Sequence, residues 1–305
     1  MIRHRVLVLA ALAFALATPS AHAGQAGFAF LEVPVGARAA GMGGAYSAVA
    51  RGVDAMFWNP AGLATFQRTE LSASHVESYE QLRHDQFGVA GRMFGGGLAG
   101  SFRAMYSEPI EERDALGNLI GTFGAHDLEF QVGYGHALGG GASMGLAAQV
   151  VRERLADLGA TTWSVSGGMA WDVHAISGAR LAVGIDHLGP AAHFLIDGSN
   201  GAPVPLPTSV HAGASLARVV GHGLNTIGAI ETRVTRGRQA LVAVGFELDT
   251  AAGAALRAGL RAGDDVSRFS LGAGWHTGPL RVDYAFTPSR LDLDDTHRFT
   301  LGSSF

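Results

Sequence analysis

The sequence predicts a transmembrane antiparallel β-barrel of about fourteen strands, with an N-terminal segment plugging its lumen. Three observations predict it: apolar character is spread thinly over many short segments, side-chain polarity alternates with a period of two, and connections alternate between short and long. The 305 residues are 48% hydrophobic, include 44 glycines and have a mean hydropathy of +0.20. Yet past the N-terminus no run approaches the roughly 18 apolar residues of a membrane-crossing helix. A barrel reconciles the two facts, because each strand shows lipid only every second side chain.

The first element reads as an export signal. Residues 1–23 comprise a positive region with Arg3 and Arg5, an apolar stretch over residues 6–17, Pro19, and Ala21-His22-Ala23. Small residues stand where a signal peptidase requires them, so cleavage is expected after Ala23.

Residues 24–67 are expected to form a plug, or hatch. Small residues dominate here and no period of two survives. Short helices are expected at 45–51 and 54–58, the second ending at Asn59-Pro60, since the residue before proline avoids the helical region. The glycines Gly36, Gly41, Gly43 and Gly44 are expected to permit close backbone approach. The spacing around Gly41 lacks the G-x-G-x-x-G pattern of a phosphate-cradling loop, and a chain whose 22 basic residues are all arginine has no Walker lysine. Asn59, Pro60, Ala61 and Gly62 read as a turn, in which asparagine bonds nearby backbone and proline fixes φ; the same four residues read equally as a hatch element whose movement opens a passage.

Residues 68–305 are expected to be the barrel. Strands are placed near 68–78, 85–94, 97–107, 126–137, 142–152, 161–173, 179–187, 208–218, 222–234, 238–249, 253–261, 265–276, 279–287 and 295–305. Leu128, Phe130, Val132 and Tyr134 alternate with Glu129, Gln131, Gly133 and Gly135, so one face suits lipid and the other does not. Connections after even-numbered strands are short, as at Gly95-Gly96 and Gly139-Gly140-Gly141. Those after odd-numbered strands include the long segments 108–125 and 188–207. Short periplasmic turns and longer external loops are the rule for outer-membrane barrels. On the last strand Phe299, Leu301 and Phe305 share a face with Ser303, and this alternating terminal strand ending on an aromatic is expected to be the signal read by the barrel-assembly machinery.

Composition excludes several classes. A net charge of -4 leaves no basic domain for nucleic acid, and zero cysteine removes disulfides, thiolate chemistry and a lipoprotein anchor. The arginines also suit phosphate and carboxylate groups, including those of surface glycolipid. The 13 histidines show no H-E-x-x-H spacing, so no metal and no cofactor is expected. His75, His211, His276 and His297 are not brought beside a nucleophile by any sequence pattern, and the chain reads as non-enzymatic. Inward-facing charges are expected at Arg92, Arg103, Glu247, Arg257, Arg261, Arg268, Arg281 and Asp283. They read either as ion pairs with the hatch and with lumen water or as a polar path for solute.

Residues 30–45, FLEVPVGARAAGMGGA, and 57–64, FWNPAGLA, resemble the N-terminal signature of PorV/PorQ-type outer-membrane proteins, relatives of the FadL transporters of hydrophobic compounds. Residues 206–213, 255–260, 280–286 and 296–301 resemble that family's C-terminal half. The resemblance implies a FadL-like fourteen-stranded barrel with a lumenal hatch, in which Asn59-Pro60-Ala61 matches the family's NPA motif. It implies a role in protein export or surface attachment, as a binding or scaffold component whose partners are outer-membrane lipid and exported proteins or secretion components. The alternative is a passive FadL-like transporter whose partner is a hydrophobic small molecule. At 305 residues the chain is short for fatty-acid transporters with large external loops, which favours the PorV/PorQ branch.

Overall fold

The computed structural model describes residues 27–78, 82–196, 198–221, 223–291 and 294–305. The expected signal peptide lies outside them. In chain order the strands are β1 (Glu70–Glu77), β2 (Arg83–Met93), β3 (Gly96–Tyr106), β4 (Ile110–Arg113), β5 (Leu119–Phe123), β6 (Ala125–Gly139), β7 (Ala142–Leu155), β8 (Leu158–Asp172) and β9 (Ala179–Leu188). They continue as β10 (Ala192–Ile196), β11 (Ser199–Val204), β12 (Ser209–Val220), β13 (Leu224–Thr235), β14 (Leu241–Asp249), β15 (Ala254–Ala262), β16 (Phe269–Thr277), β17 (Leu280–Thr287) and β18 (Thr296–Ser304). Fourteen of them close a barrel, each pairing with its neighbours along the chain, and β1 pairs with β18 to seal it. The closure is antiparallel, from Glu70 opposite Ser304 to Glu77 opposite His297.

Alternation sets the two faces. On β6 the outward Leu128, Phe130 and Val132 are 41%, 57% and 42% exposed, whereas inward Glu129 and Gln131 are buried. Outward Phe299 and Leu301 on β18 continue this apolar band, and Phe305, just past the strand, is exposed while its backbone exchanges two hydrogen bonds with Thr69. An exposed apolar belt around a polar interior is stable only in lipid, the arrangement of a transmembrane barrel.

All fourteen expected strands are present, with shifted edges. The strand expected at 265–276 begins at Phe269, because Asp264 accepts hydrogen bonds from the Val266 and Ser267 N–H groups and spends those residues on a turn. β7 and β8 run past their expected ends to a tight turn at Ala156 and Asp157, where Leu155 pairs with Leu158. The long connections are not irregular throughout. β4 and β5 form a hairpin around Asp114, whose carboxylate accepts from the N–H groups of Leu116 and Asn118, and β10 and β11 form a second.

The N-terminal segment crosses the inside of the barrel before β1. A five-residue helix, Ala37–Gly41, stands where the sequence suggested none, and the helix expected at 45–51 is a single turn closed by Tyr46. The Glu231 carboxylate of the wall accepts from the N–H groups of Tyr46 and Ser47 at the start of this turn, as a cap does. The helical turn Ala55–Trp58 forms as expected and ends on extended Asn59, after which Pro60–Thr65 is a 3-10 helix.

Candidate functional site

The lumen is the candidate site, and the hatch meets its wall through three kinds of contact. At the rim bearing the long connections, Gly27 N–H donates to the Pro205 carbonyl at 3.1 Å and Phe28 N–H donates to the Glu153 carboxylate at 2.8 Å. Phe28, Phe30 and Leu31 pack against Val151, Ala160, Ala192 and Leu206, with Met105 and Phe194 alongside. This is the apolar cluster at the long-connection rim; a larger one joins Met42, Val53, Met56 and Leu63 of the hatch to Ala90, Ala99, Ala229 and Ala243 of the wall. Arg103 lies beside the rim cluster, over the Phe30 and Phe57 rings, and forms an ion pair with Glu129 at 2.7 Å.

A second set of contacts is charged. Arg38 of the hatch grips both oxygens of Glu247 at 2.6 and 2.8 Å, a bidentate fork that a lysine would not reproduce. Arg257 donates to the same carboxylate at 2.6 Å and to Asp283 at 2.7 Å, and Arg281 pairs with Asp283 at 3.0 Å. Arg281 also faces Asp54 of the hatch at 3.8 Å. Burial pushes the Asp54 carboxyl up from its usual range, and Arg281 pulls it back in part. Burial likewise drives the Tyr46 phenol up to about 12, so it stays neutral. A second network joins Arg233 to Glu231 at 3.2 Å and to Asp186 at 2.6 Å, with His211 on Asp186 at 3.0 Å. Such buried charges are tolerable only because each meets an opposite one.

A third set of contacts is backbone on backbone. A methyl at Gly145 would collide with the Pro60 carbonyl, and one at Gly259 with the amide of Gly43, itself at φ +68°. Glycines on the wall thus let hatch backbone lie directly upon the sheet. Asn59 is fully buried at the junction of β8 and β9: its amide donates to the Met169 carbonyl at 3.2 Å and reaches that of Val183 at 3.4 Å. Its side-chain oxygen accepts from Ala61 N–H at 3.0 Å and so caps the 3-10 helix. Pro60 rests on the Gly145 backbone, Ala61 is buried, and Gly62 abuts the Ala50 carbonyl. Gly36 faces Asp54, Gly41 faces Gly272 and Gly44 faces the Trp58 ring.

Of the expected inward charges, Arg103, Glu247, Arg257, Arg281 and Asp283 meet in the lumen, and Arg261 donates to the Gly43 carbonyl at 2.9 Å. Two do not. Arg92 shares the inward parity of β2 but is exposed at the rim, donating to Gln67 at 2.8 Å. Arg268 is exposed in the turn before β16, because that strand starts four residues later than the pattern suggested. Parity alone gives a face and no depth. Sequence reasoning did not single out Arg38, Asp186, Glu231 or Arg233; alternation on β6 placed Glu129 on the inward face, whereas the strand at 222–234 alternates too poorly to mark Glu231, and nothing local marks the partners. Among the described residues no group of three His, Asp or Glu side chains is arranged to hold a metal.

These features define a plugged fourteen-stranded transmembrane barrel of the outer-membrane kind. The model of an uncharacterised protein family, UPF0164, matches residues 6–148. Among solved structures the chain is similar to the toluene transporter TbuX of Ralstonia pickettii, with a TM-score of 0.61 at 13% identity over 88% of this chain and 98% of that one. It is similar also to the Pseudomonas putida toluene transporter TodX, with a TM-score of 0.60 at 11% identity over 87% and 95% of the two chains. A Pseudomonas aeruginosa FadL homologue gives 0.53 at 11% identity over 88% and 97%. At these identities the likeness is one of fold. None of these descriptions names PorV or PorQ. No curated protein matches the chain.

Proposed function

We propose that the protein is a passive, non-enzymatic channel for small hydrophobic molecules in the bacterial outer membrane. The observation that carries this reading is the apolar patch of Phe28, Phe30, Leu31, Val151 and Leu206 at the long-loop end of the lumen. A hydrophobic solute entering from outside replaces the contacts that Phe28 and Phe30 make there. Further passage requires the hatch to shift, and the patch touches the end of the hatch remote from its junction with β1. Likeness of fold to two toluene transporters supports the same reading, which makes the solute class small hydrocarbons rather than long-chain acids. The export-scaffold role implied by the PorV/PorQ resemblance rests on sequence motifs alone.

The test is uptake. The full chain is expressed in a porin-poor host and influx of radiolabelled toluene is compared with that of the host alone. Faster, non-saturating influx, lost in Phe30→Arg, is the expected result. Influx equal to that of the host sinks the channel reading; co-purification of exported proteins in that case returns the scaffold.

A further inference from the structure

We infer that the outer wall of the barrel carries a binding groove for the phosphate of a glycolipid headgroup in the surrounding leaflet, formed by Arg152 and Arg154. Both arginines stand on the outward face of β7, two residues and therefore about 7 Å apart along the strand. They begin where the lipid-facing run Met144, Leu146, Val150 ends. Trp163, directly opposite Val150 and half exposed, marks the same level on β8, the position of the aromatic girdle at a membrane interface. The arginines thus emerge at headgroup height.

The groove has a volume of about 680 Å³ and two walls. One is the ribbon of β7 and β8, whose β8 residues 158–164 extend beyond the pairing with β9 toward the turn at Ala156; the other is β10, with His193 and Leu195, and Asn200 of β11. Thr161 and Gly159 lie opposite Arg152 and Arg154, and Gly159 leaves the guanidinium of Arg154 uncovered on that side. Arg154 donates to the Ala156 carbonyl at 3.0 Å, and among the described residues neither arginine has a carboxylate within 4 Å. Asp157 is the one carboxylate among the described lining residues, so the two arginines leave an excess of positive charge. His193 bonds the Gly201 carbonyl through Nδ1 at 3.0 Å, which leaves Nε2 available.

Of the other outward arginines, Arg83 on β2 holds Glu108 at 2.9 Å, and Arg218 on β12, at the opposite rim, donates to the Ser177 and Ala217 carbonyls. Unpaired guanidinium groups on a lipid-facing surface are costly unless an anion from the membrane meets them. Guanidinium forks fit phosphate oxygens, and the apolar run beneath fits the attached acyl chains. The site stands outside the lumen and is independent of what the channel carries.

The experiment is native mass spectrometry of the full chain in detergent, titrated with bisphosphorylated lipid A, with its dephosphorylated form, and with inorganic phosphate as competitor. Wild-type protein is expected to retain lipid A about tenfold more strongly than the R152Q/R154Q variant and than it retains the dephosphorylated lipid. Far-UV circular dichroism establishes that the variant is folded; should it not be, the single variant Arg152→Gln is compared instead. Equal retention of the two lipids, or equal retention by variant and wild type, overturns the proposal. Displacement of lipid A by millimolar phosphate overturns the glycolipid assignment and leaves a general anion site.

Discussion

Arg257 shows how much a single side chain can hold in a polar lumen. It is nearly inaccessible to solvent and satisfies two carboxylates, Glu247 and Asp283, one of which also holds the hatch through Arg38. Removing it leaves each carboxylate with one guanidinium instead of two, Arg38 on Glu247 and Arg281 on Asp283, a loss of about 1.5–3 kcal/mol for charge-assisted hydrogen bonds. Arg257→Ala should therefore lower the thermal unfolding midpoint in detergent, followed by loss of β-sheet circular dichroism. A midpoint equal to wild type means that lumen water replaces the guanidinium. Neutralising Asp283 and Glu247 together with Arg257 should deepen the loss, since Arg38 and Arg281 then lose their carboxylates.

At the scale of elements, the hatch and the wall are matched surfaces. Residues 37–47 are tied by ion pairs and backbone hydrogen bonds to β13–β17, whereas residues 59–64 lie on glycines of β3, β6, β7 and β8. Both attachments are short-range and neither is covalent, so the hatch is held by docking to a barrel that closes independently of it. Deletion of residues 24–66 should leave the fourteen-stranded closure intact and raise conductance in a planar bilayer from a closed baseline to steady open steps. Unchanged conductance would mean that the wall's own inward side chains close the lumen. The irregularity between β8 and β9 belongs to this scale too. One extra residue on β9, with His187 at φ 55°, bends the strand where Asp186 turns inward to meet His211 and Arg233.

For the whole molecule, the governing fact is that apolar side chains ring the outside while charges pair within. Such a body exchanges the usual places of core and surface, and water is a poor solvent for it. The full chain should be strand-rich by circular dichroism only with detergent or lipid present, and should precipitate on detergent removal. A soluble, monodisperse protein without detergent would contradict the transmembrane reading. No helix among the described residues is long and apolar enough to cross a membrane, which leaves the strands to do so.

The strand count, the two faces and the end of the short helix at Asn59-Pro60 were legible in the sequence, because alternation and the pre-proline restriction are local properties of a few neighbouring residues. The β4–β5 and β10–β11 hairpins were not: they have too few alternating residues to stand out from loop. Depth was not legible either, so Arg92 and Arg268 shared the right parity with Arg257 and Arg281 yet lie at the rims. Charge partners were least legible of all. Arg38 and Glu247 are 209 residues apart, and only closure of the barrel around the hatch brings them together. Sequence by itself determined that the chain is a plugged barrel with apolar walls. Tertiary structure decided which charges meet, where the lumen is apolar and which outward arginines have no carboxylate partner among the described residues, because those depend on register and height, set by pairing around the whole ring.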